Sequence, residues 1–238
     1  METGLTSNKQ IYEYIVLSIV AASLVILLVF FGDTNTGTNL NIRLFVGFTF
    51  IICCIFGILF AKYPGWTKRI LKNVDHSISP LEKVNKKKLK YQGHHPNCNQ
   101  FENHTINIYG KICCAGCFGL AIGCMVSILT MVFYIVIFPN FSDHIYYILI
   151  FLGLGIISLC FIEIRVRKRN LGIHVFLNIL FVVSFFLITV SVLEITGELL
   201  FGFVAILFSF LWLDTRAQLS FWQHTRICAE CDKNCKMY

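Results

Sequence analysis

Six long runs of apolar residues divide this 238-residue sequence, and they constrain its fold more than any other feature. Each run comes close to the roughly 20 residues that a helix needs to cross about 30 Å of hydrocarbon. The runs are continuously apolar, without the alternation typical of strands in a membrane barrel, so helices are predicted. The predicted spans are Ile15–Phe31, Leu44–Ala61, Cys114–Phe138, Ile145–Ile162, Val175–Leu193 and Leu199–Leu213. We expect an all-α integral membrane protein, a bundle of about six transmembrane helices in contact with the lipid bilayer.

Basic residues are distributed unevenly between the predicted loops, and this indicates how the chain is oriented. Of the 20 Lys and Arg residues, 10 lie between Lys62 and Lys111, whereas segments 33–41, 139–144 and 194–198 contain none. Cytoplasmic loops of membrane proteins carry the excess of Lys and Arg. We expect a multi-pass protein of the cell membrane with both termini in the cytoplasm. The net charge of +7 follows from this bias and requires no nucleic-acid partner.

The pattern of spans and loops divides the chain into four regions. These are a two-helix hairpin at 1–61, a cytoplasmic basic and Cys/His-rich loop at 62–113, a four-helix membrane region at 114–213 and a cytoplasmic Cys-rich tail at 214–238. In the loop, Trp66–Ile78 can form an amphipathic surface helix. A basic run suited to anionic lipid follows, made of Lys86, Lys87, Lys88 and Lys90. A homo-oligomer or a membrane-protein partner is a further expectation.

The 11 cysteines fall into two groups by position. Four lie within the predicted spans, where cysteine usually acts as a small apolar side chain; these are Cys53, Cys54, Cys124 and Cys160. The other seven lie in the loop and the tail, at Cys98, Cys113, Cys114, Cys117, Cys228, Cys231 and Cys235. Cytosolic thiols are kept reduced, so metal ligation or thiol redox chemistry is favoured over structural disulfides.

The spacing of these cysteines and of nearby histidines predicts a metal site. Cys114-Ala-Gly-Cys117 is a CxxC motif, in which Gly116 permits the turn and two thiolates can take adjacent positions around a tetrahedral zinc ion. The loop and the tail supply the remaining ligands. The predicted set is His95, Cys98, His104, Cys114, Cys117, His224, Cys228, Cys231 and Cys235. Zinc is the expected metal and an iron–sulfur cluster is the alternative; two separate sites, or one metal that joins the third span to the sixth, both fit the sequence.

Several neighbouring residues are not assigned to this site. Cys113 is predicted to be spare, because only Cys114 completes the CxxC motif. His76, His144 and His174 have no ligand-type neighbours in the sequence, and we expect them to be ordinary loop or interface residues.

The third span carries a stripe of small residues. The stripe consists of Ala115, Gly119, Gly123 and Ser127, spaced four residues apart. Residues at this spacing share one face of a helix, and small side chains let a second helix approach closely. The stripe predicts a tight helix–helix contact that begins at the CxxC motif.

The polar residues of the spans give little support to a transporter or a known enzyme class. The ionisable residues lie near the predicted span ends, whereas transport pathways usually carry them at mid-membrane. Glu194 and Glu198 are expected to form a solvated helix end. No HExxH, P-loop or GxSxG motif is present, so the prediction leans towards a protein without enzymatic activity whose metal site is structural, sensing or assembling. The alternatives are a membrane redox enzyme, using its cysteines as a dithiol or an iron–sulfur centre, and a transporter with a regulatory metal site.

One stretch of about 30 residues resembles a family of uncharacterised prokaryotic multi-pass membrane proteins that carry a domain of unknown function. The resemblance lies in His94-His95-Pro96-Asn97-Cys98 and in Cys114-Ala-Gly-Cys117-Phe-Gly119, which leads into a membrane helix. It singles out Cys98, Cys114, Cys117, Gly119 and Gly123. This sequence has Gly116 where that family often has arginine, and it adds the cysteine-rich tail. The resemblance implies a site at these residues and implies no reaction.

Overall fold

The structure, a computed structural model, describes residues 8–31, 38–62, 91–92, 95–96, 104–108, 111–137, 141–166 and 170–229. The helices are α1 Asn8–Phe31, α2 Leu40–Lys62, α3 Ala115–Ile137, α4 Asp143–Arg165, α5 Leu171–Thr196 and α6 Leu199–Ala229. All six are long and apolar enough to cross a membrane. The predicted all-α bundle of six spanning helices is confirmed, and the chain is a multi-pass membrane protein.

Helix α6 differs most from its predicted span. The prediction ends at Leu213, whereas the helix continues to Ala229 and contains 31 residues. At 1.5 Å per residue it is about 46 Å long, well beyond the roughly 30 Å of hydrocarbon in a bilayer. Residues 214–229 of the predicted tail therefore extend the sixth helix, and they carry His224 and Cys228 on it.

Helix α5 lies at the centre of the bundle and packs against α1, α3, α4 and α6. It is apolar on all sides, as expected of a helix surrounded by other helices. Phe181 and Ile188 have no exposed surface. Asn170 caps the start of the helix by accepting a hydrogen bond from Gly172 N at 2.9 Å. The helix ends at Thr196, and the φ of 66° at the following residue, Gly197, lets the chain turn into α6.

The loop before α3 contains two short antiparallel hairpins that the sequence did not predict. The first pairs β1, Tyr91–Gln92, with β2, His95–Pro96. The second pairs β3, Thr105–Ile108, with β4, Lys111–Cys114, so that Thr105 lies opposite Cys114. Strand β4 runs directly into α3. The β3–β4 hairpin is therefore continuous with the third span.

The small-residue stripe of α3 packs closely against α5. A Cβ atom at Gly119 would lie 2.7 Å from the carbonyl oxygen of Val175, and one at Gly123 would lie 2.8 Å from that of Ile179. Such distances are below any normal carbon–oxygen contact, so only glycine allows this approach. All four residues of the stripe, Ala115, Gly119, Gly123 and Ser127, are buried. The predicted packing face is confirmed.

A buried ion pair lies near the start of α2 and the end of α5. Arg43 Nη2 lies 2.7 Å from Glu194 Oε2, and the side chains are only 7% and 8% exposed. The Tyr134 hydroxyl donates a hydrogen bond to the other oxygen of the same carboxylate. The prediction of a solvated helix end is wrong for Glu194, because α2 brings the Arg43 guanidinium against it. Glu198, one turn later, is exposed as expected.

Helices α1 and α6 are joined by polar contacts along their length. The hydroxyls of Ser18 and Thr215 lie 2.8 Å apart, and Trp212 Nε1 donates to the Ser18 carbonyl at 3.2 Å. Trp222 Nε1 donates to Asn8 Oδ1 at 3.0 Å, so the start of α1 lies beside the last turns of α6. The starts of α3 and α5 and the end of α4 lie at this same end of the bundle, as the contacts below demonstrate. We call it the cysteine end, because it holds Cys114 and Cys117.

Candidate functional site at the cysteine end

The CxxC motif lies where strand β4 meets helix α3. The strand ends at Cys114 and the helix begins at Ala115, so Cys117 falls in the first helical turn. The two thiols hydrogen-bond to each other. Backbone N–H groups in the first turn of a helix have no acceptor within the helix and present partial positive charge. The motif therefore places two thiols where a helix favours negative charge.

Gly116, between the two cysteines, lets side chains from two other helices reach the motif. A Cβ atom at this position would lie 3.1 Å from Arg216 Nη2, 3.3 Å from His174 Nε2 and 3.8 Å from Cys114 Sγ. A larger residue at 116 would displace the guanidinium or the imidazole. The close approach of side chains from α5 and α6 therefore favours glycine at 116, whereas the predicted turn is not formed there, because Gly116 lies within helix α3 without a positive φ.

Behind the motif, a chain of hydrogen bonds connects α6, α5 and α4. Arg216 donates through Nη2 to Asn178 Oδ1, and Asn178 Nδ2 donates to the His174 carbonyl at 2.6 Å. His174 Nδ1 lies 3.0 Å from each carboxylate oxygen of Glu163. Arg216, Asn178 and His174 are all buried. Buried polar groups are tolerated when they are hydrogen-bonded, so this network holds one positive and one negative side chain inside the bundle.

The hydrogen-bond partners of His174 assign its proton to Nδ1. That nitrogen faces the Glu163 carboxylate, which can only accept. The other nitrogen, Nε2, lies 3.4 Å from the Asn178 amide nitrogen, which can only donate. In the tautomer with its proton on Nδ1, Nε2 is left as the acceptor, on the side where Gly116 and Cys114 lie.

A pair of histidines lies next to this network. The rings of His104 and His224 are 5.2 Å apart, nearly perpendicular at 75°, and the His104 ring is 6.4 Å from that of His174. His104 immediately precedes strand β3 in the loop, whereas His224 lies on α6. Both are buried. The loop and the sixth helix therefore contact each other through two of the predicted metal ligands.

The predicted metal ligands are only partly covered by the structure. Four have described side chains, namely His104, Cys114, Cys117 and His224, and they form a thiol pair and an imidazole pair. Among the described residues, no three His, Cys, Asp or Glu side chains lie close enough together to hold a metal ion. The side chains of His95 and Cys228, and the whole of Cys98, Cys231 and Cys235, lie outside the described residues, as do Trp66–Ile78 and the basic run from Lys86 to Lys90. The metal site stays a prediction.

Four members of the hydrogen-bonded network were not predicted as site residues: Arg216, Asn178, His174 and Glu163. The expectation that His174 has no ligand-type neighbour is wrong, because α4 brings Glu163 to it. The sequence does contain a signal, because polar and ionisable residues within membrane helices usually face the bundle interior and pair with one another. Which of the four residues contact each other depends on which helices are neighbours. The hydrophobic periodicity of the sequence does not specify the neighbours of a helix.

Comparison of the chain with protein-family models, with curated proteins and with solved structures gives no match. The function is therefore inferred from the chemistry and geometry of the site.

Proposed function

We propose that this membrane protein carries out thiol–disulfide redox chemistry, with Cys114 and Cys117 as the reactive pair. The observation that carries the proposal is the hydrogen bond between these two thiols at the junction of β4 and α3, beside the Arg216 guanidinium. A CxxC motif at the start of a helix is the arrangement used by proteins that cycle between dithiol and disulfide. The pair would close into a disulfide when it releases two electrons and two protons.

Arg216 places a positive charge beside the thiol pair, where it counteracts the burial of Cys117 that disfavours a thiolate. Arg216 is buried, and the titratable groups close enough to interact with its charge include Cys117, Cys114 and Glu163. Cys160 is also within range, so the guanidinium acts on the thiols of Cys117 and Cys114 together with Cys160 and the Glu163 carboxylate. A positive charge next to a thiol stabilises the thiolate, which is the reactive form.

The predicted orientation gives the pair a direction of electron flow. With the cysteine end in the cytoplasm, Cys114 and Cys117 face a compartment that keeps thiols reduced, where disulfides are usually transient and catalytic. The pair would then receive electrons from cytosolic dithiols by disulfide exchange and pass them to an acceptor in the membrane.

Equilibration with glutathione tests the proposal. We expect Cys114 and Cys117 to interconvert reversibly between dithiol and disulfide when the purified protein is held anaerobically in mixtures of reduced and oxidised glutathione. Alkylation followed by peptide mass spectrometry measures each cysteine separately. Cys160 should stay a thiol, because it is buried and donates to the Leu177 carbonyl at 3.2 Å. A Cys114–Cys117 pair that stays reduced across the whole range would refute the proposal.

The role of Arg216 is tested by the alkylation rate of the pair. We expect Arg216→Gln to slow the reaction of Cys114 and Cys117 with iodoacetamide about tenfold, because a smaller fraction is present as thiolate. Arg216→Lys should restore most of the rate, since it retains the charge. The matched control is Arg226→Gln, on the exposed surface of the same helix, where the guanidinium stacks on Trp222 at 4.9 Å. Equal alkylation rates in all variants that remain folded would show that Arg216 does not activate the thiols.

A zinc site with a structural, sensing or assembly role is the second candidate, and the contact between His104 and His224 favours it. These two residues join the loop and α6, which carry the other predicted ligands. Elemental analysis of untagged protein, purified anaerobically with a reductant, decides between the candidates. Zinc that is lost in Cys114→Ser/Cys117→Ser and in Cys228→Ser/Cys231→Ser supports the metal site, and iron with visible absorption supports a cluster. If the purified protein contains no metal, the result supports the thiol–disulfide function of Cys114 and Cys117.

A further inference from the structure

A cavity of about 270 Å³ lies beside the CxxC motif, between α2, α3, α5 and α6. Cys117 forms part of its wall, and so does Cys124, two turns further along α3. Seven helical residues span about 10 Å. The cavity therefore begins at Cys117 and extends along α3 to Cys124.

The wall of this cavity is aromatic and apolar. Five phenylalanines line it, at positions Phe50, Phe56, Phe60, Phe185 and Phe210. Phe50 and Phe185 are buried, whereas Phe56, Phe60 and Phe210 are about half exposed, at 52%, 45% and 50%. The exposed rings belong to α2 and α6 and form the rim. In a bilayer this rim faces the acyl chains, so the cavity is reached from the lipid phase.

The lining defines the chemistry of an occupant. None of the described residues that form the wall is charged, which argues against a phosphate or ammonium head group. Aromatic rings pack well, offset or edge to face, with other aromatic rings, so five phenylalanines favour a planar ring over a flexible acyl chain. Ligand cavities usually measure about 300–1,000 Å³, so this one accommodates a single ring system. An apolar tail on that ring would leave through the rim into lipid.

We propose that the cavity binds the head group of a lipid-soluble quinone, which accepts the electrons of Cys114 and Cys117. This proposal rests on the thiol function proposed above and names its acceptor. Two S–H bonds break, one S–S bond forms between the two cysteines, and two electrons pass to the quinone ring. The two protons bind to the two carbonyl oxygens, which gives the hydroquinone. Cys117 contacts the ring because it lies in the wall, and Cys114 completes the disulfide.

Decylubiquinone is a suitable probe, because its fully substituted ring does not arylate thiols. Prereduced protein in lipid nanodiscs is mixed anaerobically with this quinone, and hydroquinone and disulfide are measured by chromatography and peptide mass spectrometry. We expect one hydroquinone for each Cys114–Cys117 disulfide formed. Ala61→Phe places a ring inside the cavity and should lower the rate at limiting quinone about tenfold. Ile55→Phe is the matched control on the exposed face of the same helix, and its rate should equal that of the wild type.

A second thiol pair in the cavity supplies a further control. Cys54 on α2 and Cys124 on α3 hydrogen-bond to each other at the buried end of the wall. Peptide mass spectrometry should find the disulfide at Cys114–Cys117 and should find Cys54 and Cys124 still as thiols, and Cys114→Ser/Cys117→Ser should not reduce decylubiquinone. A disulfide between Cys54 and Cys124 in place of Cys114–Cys117 would overturn the proposal. Quinone reduction by Cys114→Ser/Cys117→Ser, or an unchanged rate in Ala61→Phe, would overturn it as well.

The glutathione equilibrium distinguishes failure of the acceptor from failure of the thiol function. If glutathione oxidises the Cys114–Cys117 pair and decylubiquinone does not, the quinone site is wrong and the thiol function stands. If neither oxidises the pair, the thiol function is wrong and the quinone reaction is wrong with it.

Discussion

Replacement of Glu194 by glutamine is expected to lower the free energy of unfolding by about 3–5 kcal/mol, because it leaves the buried Arg43 guanidinium without its countercharge. Glutamine keeps the shape of the side chain, so the change in the free energy of unfolding measures the loss of the negative charge. The pair is 7% and 8% exposed, and the Tyr134 hydroxyl also depends on the carboxylate as its acceptor. Unfolding of the detergent-solubilised protein by added SDS, followed by circular dichroism, measures the change.

Two variants make this test specific. Glu198→Gln removes an exposed carboxylate four residues later and should change the stability by less than about 0.5 kcal/mol. Arg43→Met combined with Glu194→Met removes both charges and should recover much of the loss, since an apolar pair of similar volume often replaces a buried ion pair without cost. If Glu194→Gln is no more damaging than Glu198→Gln, the ion pair does not contribute to the stability.

Replacement of Gly119 by alanine is expected to cost about 3 kcal/mol, the upper part of the range for overpacked interiors. The added methyl would lie 2.7 Å from the Val175 carbonyl oxygen and 2.8 Å from the Asn178 Cβ. The first of these atoms belongs to the backbone of α5 and cannot rotate away, so α3 and α5 must separate. Because Asn178 also binds Arg216, the separation should alter the alkylation rate of Cys114 as well as the stability.

Gly155→Ala is the matched control for the close helix contact. Gly155 lies on α4, and an added methyl there would meet nothing within 4 Å. Alanine is the better helix former, so this variant should be neutral or more stable by up to about 1 kcal/mol. The same SDS titration compares the two alanine variants. Equal stability would mean that α3 and α5 do not approach as closely as the structure has them.

Helix α5 connects the two ends of the molecule chemically. Near its start it supplies His174 and Asn178, which bind Glu163 and Arg216. Near its end it supplies Glu194, which binds Arg43. Each buried arginine thus comes from a different helix and finds its partner on the central one. This explains why an apolar helix carries polar residues at both ends, and why we expect the packing of α3 on α5 to affect the cysteine end.

The candidate site could be predicted from the sequence only as far as residue type and spacing allowed. Cys114 and Cys117 stand out because the CxxC spacing is local, and the structure keeps them together at one helix start. His104 and His224 were both predicted as ligands, and their contact depends on the β3–β4 hairpin and on the extension of α6. The predicted zinc site depends mainly on residues outside the described ranges. Thiol redox chemistry at Cys114 and Cys117, which the sequence indicated only as an alternative, gains support from the position of Arg216 beside the motif.

The sequence by itself determined the number of spans, their helical nature and the face on which α3 packs, because these depend on local apolar length and on residue spacing along one helix. Only the tertiary structure decided that Arg216, Asn178, His174 and Glu163 form one buried network, that Glu194 is paired with Arg43, and that Cys117 borders a cavity. The physical reason is that burial of a charge requires a partner on another helix. Which helices are neighbours follows from how their faces pack together in three dimensions.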